Sequence, residues 1–73
     1  MKLSEANIGD TLRIVAVGGD VRARLESMGI CAGNTVRVER KAPLNGTILV
    51  RVGGAAVAMR KDAARFVEAE VEI

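Results

Sequence analysis

TVRVERKAPLNGTILVRVGG, residues 35–54, decides the fold. Its first part alternates, with Val36 and Val38 on one side and Arg37 and Glu39 on the other. That is the period of two expected of a strand with one buried face. Its second part does the same, with Ile48, Val50 and Val52 inward and Arg51 outward. Between the two lies APLNG. Pro43 fixes one φ angle there, and Asn45-Gly46 tolerates positive φ. A β-hairpin follows from this pattern. Leu49 falls out of register and is expected to face outward or to cap one end of the fold.

The neighbouring segments extend the reading. TLRIVAVG, from Thr11 to Gly18, is rich in β-branched residues and predicts a strand ending at Gly18-Gly19. Asp20 to Met28 predicts a helix, with Asp20 as its N-cap and Val21, Leu25 and Met28 on one buried face. Gly29 sits where a left-handed residue closes a helix. After the hairpin, Gly53-Gly54 turns the chain into AAVAM, with Val57 and Met59 inward. RKDAARF predicts a short helical turn over about 60–65, with Phe66 at a core position. FVEAEVEI then places Val67, Ala69, Val71 and Ile73 on one face and Glu68, Glu70 and Glu72 on the other. The sum is a mainly β chain: about five short strands with one inserted helix over about 20–28. Strands of that number and length curl into a small, partly closed, SH3-like barrel, which also hides edges. An OB-fold, the competing architecture, usually needs more residues and longer strands.

Size and composition agree with one domain spanning residues 1–73. Hydrophobic residues make up 49% of the chain, yet Phe66 is its one aromatic, so the core is built from aliphatic side chains. No apolar run approaches the ~20 residues that span a bilayer. Behind Lys2 there is no apolar stretch of the kind a signal peptide carries. With a single cysteine and no internal disulfide, the cytoplasm is the expected compartment and no direct membrane insertion is expected.

Catalysis needs a nucleophile, a base and an orienting group held together. The chain has no histidine, and its serines, Ser4 and Ser27, sit in no motif. No enzymatic activity is expected and no catalytic residue is assigned. Glu68, Glu70 and Glu72 share one strand face at about 7 Å spacing and read as a solvated surface. Structural zinc wants four Cys or His ligands, so Cys31 is either one ligand of a site shared between chains or a small, partly buried apolar residue. No metal or cofactor site is assigned. Gly18-Gly19 precedes a helix but lacks a P-loop lysine, and Asp20 would repel phosphate, so the pair reads as a turn.

Charge is unevenly spread. Residues 33–65 hold seven basic and two acidic side chains, whereas the tail from Phe66 holds three glutamates. Arg37, Arg40, Lys41, Arg51, Arg60, Lys61 and Arg65 make a basic middle, and a small nucleic-acid-binding barrel is the alternative reading of the chain. Single-strand readers stack bases on aromatic side chains, and one ring is a poor platform. Nucleic acid is therefore not the expected partner. Surface apolar residues are more informative. Leu44 lies in a turn, where it either projects or folds back over the barrel mouth. Met28, Ile30 and Cys31 follow the helix, and with Pro43, Leu44, Asn45 and Leu49 they form the candidate protein-docking set, an apolar patch rimmed by arginines. Exposed strand edges leave self-association open.

LESMGICAGNTVRVERKAPLNGTILVRVGG, followed by VAMRKDAARFVEAE, resembles the ferrous iron transport protein A (FeoA) family. The resemblance rests on Leu25, Met28-Gly29, Gly33, Val36, Val38, Ala42-Pro43-Leu44, Val52 and Met59-Arg60, and runs from about Asp10 to Glu70. Three positions depart from the family pattern. Ala32 stands where proline is usual, Asn45-Gly46 replaces a single glycine, and Cys31 replaces an apolar residue. The resemblance implies an SH3-like cytoplasmic domain without enzymatic activity that serves ferrous iron transport and iron homeostasis, in a family associated with transition metal ion binding. It also implies a partner, the inner-membrane ferrous iron permease with its cytoplasmic GTP-binding domain, which such a protein would regulate through protein–protein contact.

Overall fold

The computed structural model describes residues 1–44 and 46–72. Asn45, one of the expected docking residues, and Ile73, expected on the inner face of the last strand, lie outside the described residues. In chain order there is a 3-10 turn (Leu3–Glu5), β1 (Thr11–Val17), α1 (Arg22–Ser27), β2 (Thr35–Lys41), β3 (Thr47–Val52), β4 (Ala55–Arg60), α2 (Lys61–Ala64) and β5 (Val67–Val71). The five strands form one antiparallel sheet in the order β4-β3-β2-β1-β5.

Strand β2 explains the curl. Its first residues, Thr35–Arg37, pair with β1, while Arg37–Lys41 pair with β3. The register shifts between Val38 and Arg40, so one residue is extra on the β2 side. Such a bulge bends its strand and sharpens the twist. A second irregularity, between Ile14 and Ala16, bends β1 against β5 and leaves Val15 without a partner. The sheet thereby wraps a single core that includes Leu12, Ile14, Val36, Val38, Ile48, Val50, Val57, Met59 and Val67. From Val36 onward these are inward positions that alternation predicts, while Val52, also expected inward, is only partly buried against that core. The last strand departs from it: Val71, the final residue of β5, is 50% exposed although its cross-strand partner Leu12 is fully buried.

Helix α1 is shorter than the predicted span. It is entered through a turn in which the Arg22 N–H donates to the Gly19 carbonyl at 3.3 Å. That turn makes Val21 the N-cap, with no side-chain cap bond, so Asp20 does not cap the helix. The exit is better determined. Gly29 has φ +93, its N–H donates to Glu26 O at 3.1 Å, and the Ile30 N–H reaches back to Leu25 O at 2.9 Å. This paired closure is a Schellman motif, in which the residue after the glycine folds against the last helical turn. Leu25 and Ile30 are accordingly both fully buried, and Met28 is left 38% exposed. The buried position predicted for Met28 is thus taken by Ile30.

The N-terminal segment closes the bottom of the core. Leu3 and Ala6 are fully buried, and Lys2 bridges to Glu68 of β5. Lys41 Nζ donates to the carbonyls of Ala6 at 2.7 Å and Ser4 at 3.3 Å. Those carbonyls lie at the end of the 3-10 turn, where helix-type backbone leaves acceptors unpaired. Phe66, predicted to be in the core, is instead 52% exposed. It follows the short α2 turn, and its ring lies over Gly19 while its carbonyl accepts the Gly18 N–H at 2.9 Å.

Candidate functional site

The hairpin loop between β2 and β3 presents the most exposed apolar side chain of the described residues. Its neck is closed by Ala42 N–H donating to Thr47 O at 2.9 Å, and its tip by Gly46 N–H donating to Pro43 O at 3.2 Å. A further bond, Lys61 N–H to Gly46 O at 3.1 Å, anchors the loop to the start of α2. On this fixed base Leu44 is 90% exposed, with φ +61. The sequence reads as tolerating positive φ at Asn45-Gly46; Asn45 lies outside the described residues, and Leu44 is a non-glycine residue that adopts positive φ. Leu44 therefore projects instead of folding over the barrel mouth, and it does so from a backbone conformation that costs an L-residue energy. Pro43 beside it is exposed, and Leu49 is half-buried, facing Arg40 on one side and Ala58 on the other.

The helix exit is a separate place. Asn34 Nδ2 donates to Gly29 O at 2.8 Å and lies 3.2 Å from Cys31 Sγ, drawing residues 29–34 into a tight loop. Cys31 is a free, half-buried thiol inside that loop. Gly29 packs beside Val52, at the far end of β3 from Leu44. Five strand steps separate the two ends, about 17 Å. Met28 and Cys31 thus do not join Leu44 in one continuous apolar patch, and Ile30 offers no surface at all.

Between these places the sheet carries an open cleft of about 340 Å³ lined by Ile8, Gly9, Arg37, Val38, Glu39 and Arg40. Sequence reasoning passed over Ile8, which is 61% exposed. Its signal was present: an isolated isoleucine before a glycine in a polar turn, where burial is difficult. Inside the cleft Glu39 accepts from Arg51 Nε at 2.9 Å and Nη2 at 3.2 Å. These hydrogen bonds hold the Glu39 carboxyl below the usual carboxylate range, with the charges of Arg51, Arg37 and Arg40 adding to the effect. A depressed carboxyl contributes stability above its unfolded value, and that contribution disappears as pH falls through the folded value. A carbon-detected NMR titration should find the Glu39 midpoint below the ordinary carboxylate value, and Arg51→Gln should move it back up.

The basic middle is partly committed. Lys41 serves the N-terminal carbonyls, Arg51 holds Glu39, and Arg65 lies 3.8 Å from Asp62. On the opposite side Glu70 pairs with Arg13 at 2.8 Å and Glu72 accepts from Thr35 at 3.4 Å, so the glutamate row is a paired outer face. Ser27 Oγ donates to Arg24 O, and Ser4 is buried. Among the described residues no three His, Cys, Asp or Glu side chains gather to hold a metal ion.

Comparison with known proteins now places the chain. The FeoA domain family matches residues 1–71. The chain belongs to the FeoA family. A curated relative from Porphyromonas gingivalis (strain ATCC BAA-308 / W83), an Fe(2+) transport protein A/Fe(2+) transporter FeoB fusion protein, is 36% identical over 73 residues, which is 97% of this chain. The match spans only 9% of that relative's length. The solution structure of FeoA from Chlorobium tepidum superposes with a TM-score of 0.89 at 34% identity, covering 97% of this chain and 70% of that one. The crystal structure of Stenotrophomonas maltophilia FeoA complexed with zinc, described as a prokaryotic SH3 domain protein, superposes with a TM-score of 0.85 at 28% identity, covering 96% and 89%. The mainly β, SH3-like architecture expected from the hairpin is thus the architecture of FeoA proteins.

Proposed function

We propose that this FeoA-family chain is a cytoplasmic regulatory accessory of ferrous iron uptake, peripheral to the inner membrane, that acts by binding the ferrous iron permease at its cytoplasmic GTP-binding part. The observation that carries this reading is the Porphyromonas gingivalis relative, in which the matching segment is continuous with the transporter FeoB. Covalent linkage of two modules raises their effective concentration for each other, and such linkage is useful when the modules touch. A binding role also suits a surface whose outstanding feature is an anchored loop presenting Leu44. Covering such an exposed leucine in a partner pocket would remove its apolar surface from water, about 1.5–3 kcal/mol for full burial. The nucleic-acid reading is weaker, since Lys41, Arg51 and Arg65 are engaged within the chain. No helix of the described residues is long and apolar enough to cross a membrane, so contact with the bilayer would come through the permease.

The test is a pull-down of the permease's cytoplasmic domain with wild type and Leu44→Arg, alongside iron uptake in a strain lacking the native protein. Binding should fall at least about tenfold, as when a central interface anchor is removed, while circular dichroism stays unchanged. A folded Leu44→Arg variant that restores uptake as well as wild type would show that the loop is not the contact.

A further inference from the structure

The sheet has two outer edges, and they are treated differently. Along β5, Ala69 N–H donates to Met1 O at 2.7 Å and Lys2 bridges Glu68, so the N-terminal segment covers that edge. Along β4, no hydrogen bond beyond the ladder to β3 reaches Ala55–Met59 among the described residues. Open edges are normally blunted by lysine, proline, a bulge or a covering loop. Residues 55–59, AAVAM, contain no charge and no proline, and their register with β3 runs unbroken from Val52↔Ala55 to Thr47↔Arg60.

The hairpin turn determines which groups point outward. Gly53 and Gly54 join Val52 to Ala55, with positive φ at Gly53 (+58) and not at Gly54, the pattern of a type II′ turn. Such a turn closes on a bond between its first and last residues, which makes Val52 and Ala55 a bonded pair. Bonded and non-bonded pairs then alternate along an antiparallel ladder. Val57 and Met59 therefore bond to β3, and Ala56, Ala58 and Arg60 turn their N–H and C=O groups away from it. Ala56 and Ala58 are also exposed, and among the described residues no further hydrogen bond reaches these groups.

We propose that the β4 edge pairs with the β4 edge of a second copy of this chain, antiparallel, about a two-fold axis at Val57. This register is self-complementary in three respects. Ala56 of each copy faces Ala58 of the other, so their outward N–H and C=O groups bond to one another. Their methyl side chains allow close approach. Arg60 faces Gly54 of the second copy, so no like charges are opposed, which is the usual obstacle to self-pairing. The contact is mostly backbone and buries little apolar area, so the dimer is weak and depends on concentration. The pairing does not depend on any permease contact.

Sedimentation of the full chain over a concentration series reaching the millimolar range should show monomer passing to dimer. Over the same series, amide exchange at Ala56 and Ala58 should slow by about tenfold or more while Val57 stays constant. Ala58→Pro removes an outward N–H without touching the β3 ladder and should keep the chain monomeric. The double substitution Ala56→Lys, Ala58→Lys, at exposed positions, opposes ammonium groups across the axis and should do the same if the proline variant fails to fold. A wild type that stays monomeric throughout overturns the proposal. So does a dimer that survives the double substitution, or protection of Ala56 and Ala58 that appears only when the permease's cytoplasmic domain is added.

Discussion

Ile30→Ala is expected to cost about 2–5 kcal/mol of stability, the usual range for emptying a fully buried isoleucine site. Stability runs at roughly 0.05–0.15 kcal/mol per residue, or about 4–11 kcal/mol for a chain of 73 residues. The substitution therefore removes about half of what holds the fold. A domain of this size loses roughly 4–8 °C of melting temperature per kcal/mol, so the midpoint should drop by about 10 °C or more. The reason is the position of Ile30 in the helix closure. Its N–H satisfies the Leu25 carbonyl at 2.9 Å, and its side chain enters the core beside Leu25 with no exposed surface. Met28→Ala and Cys31→Ser, two and one residues away, are the controls. Met28 is 38% exposed and the Cys31 thiol is only half-buried, so each should change stability by about 1 kcal/mol or less. Thermal unfolding followed by circular dichroism measures all three. If Ile30→Ala melts within a few degrees of wild type, the assigned burial is wrong and Ile30 returns to the candidate contact surface.

The difference between Met28 and Ile30 shows what the sequence could and could not say. A helical period places Met28 on the inner face only if the helix continues to it. The positive φ of Gly29 (+93) ends that period early and turns the next residue inward instead. The glycine was legible, but the rotation that it imposes on its neighbours was not. The strands were easier, because alternation in TVRVERK and TILVRV depends only on a period of two, and Val36, Val38, Ile48 and Val50 are buried as it requires. The N-terminal plug left no such trace. Leu3 and Ala6 are fully buried, yet two apolar residues three apart in a polar segment do not make a pattern. Lys41 reads as surface charge until the carbonyls of Ala6 and Ser4 are seen beside it. Of the candidate contact residues, Leu44 stands on the surface, one of the two placements that its turn position left open. Its unusual backbone was invisible, since Asn45-Gly46 offered the more obvious bearers of positive φ.

Leu44→Asn should separate stability from binding. Leucine at φ +61 occupies a conformation that costs an L-residue roughly 1–2 kcal/mol, and at 90% exposure its side chain recovers little of that through packing. Asparagine enters the same backbone region more readily, so the variant should gain up to about 1 kcal/mol. Residual strain at an exposed position suggests a side chain retained for something outside the chain, the pattern found at binding and switch loops. If Leu44 enters an apolar pocket of the permease's cytoplasmic part, as proposed, its loss forfeits about 1.5–3 kcal/mol of burial. At 1.4 kcal/mol per decade, affinity should then fall roughly 10- to 100-fold. The two readouts, a thermal melt of the isolated chain and a titration with the permease domain, move in opposite directions. A variant that is less stable than wild type would show that Leu44 packs within its own chain and carries no strain. A variant that is more stable but binds with unchanged affinity would keep the strained loop and remove Leu44 from the interface.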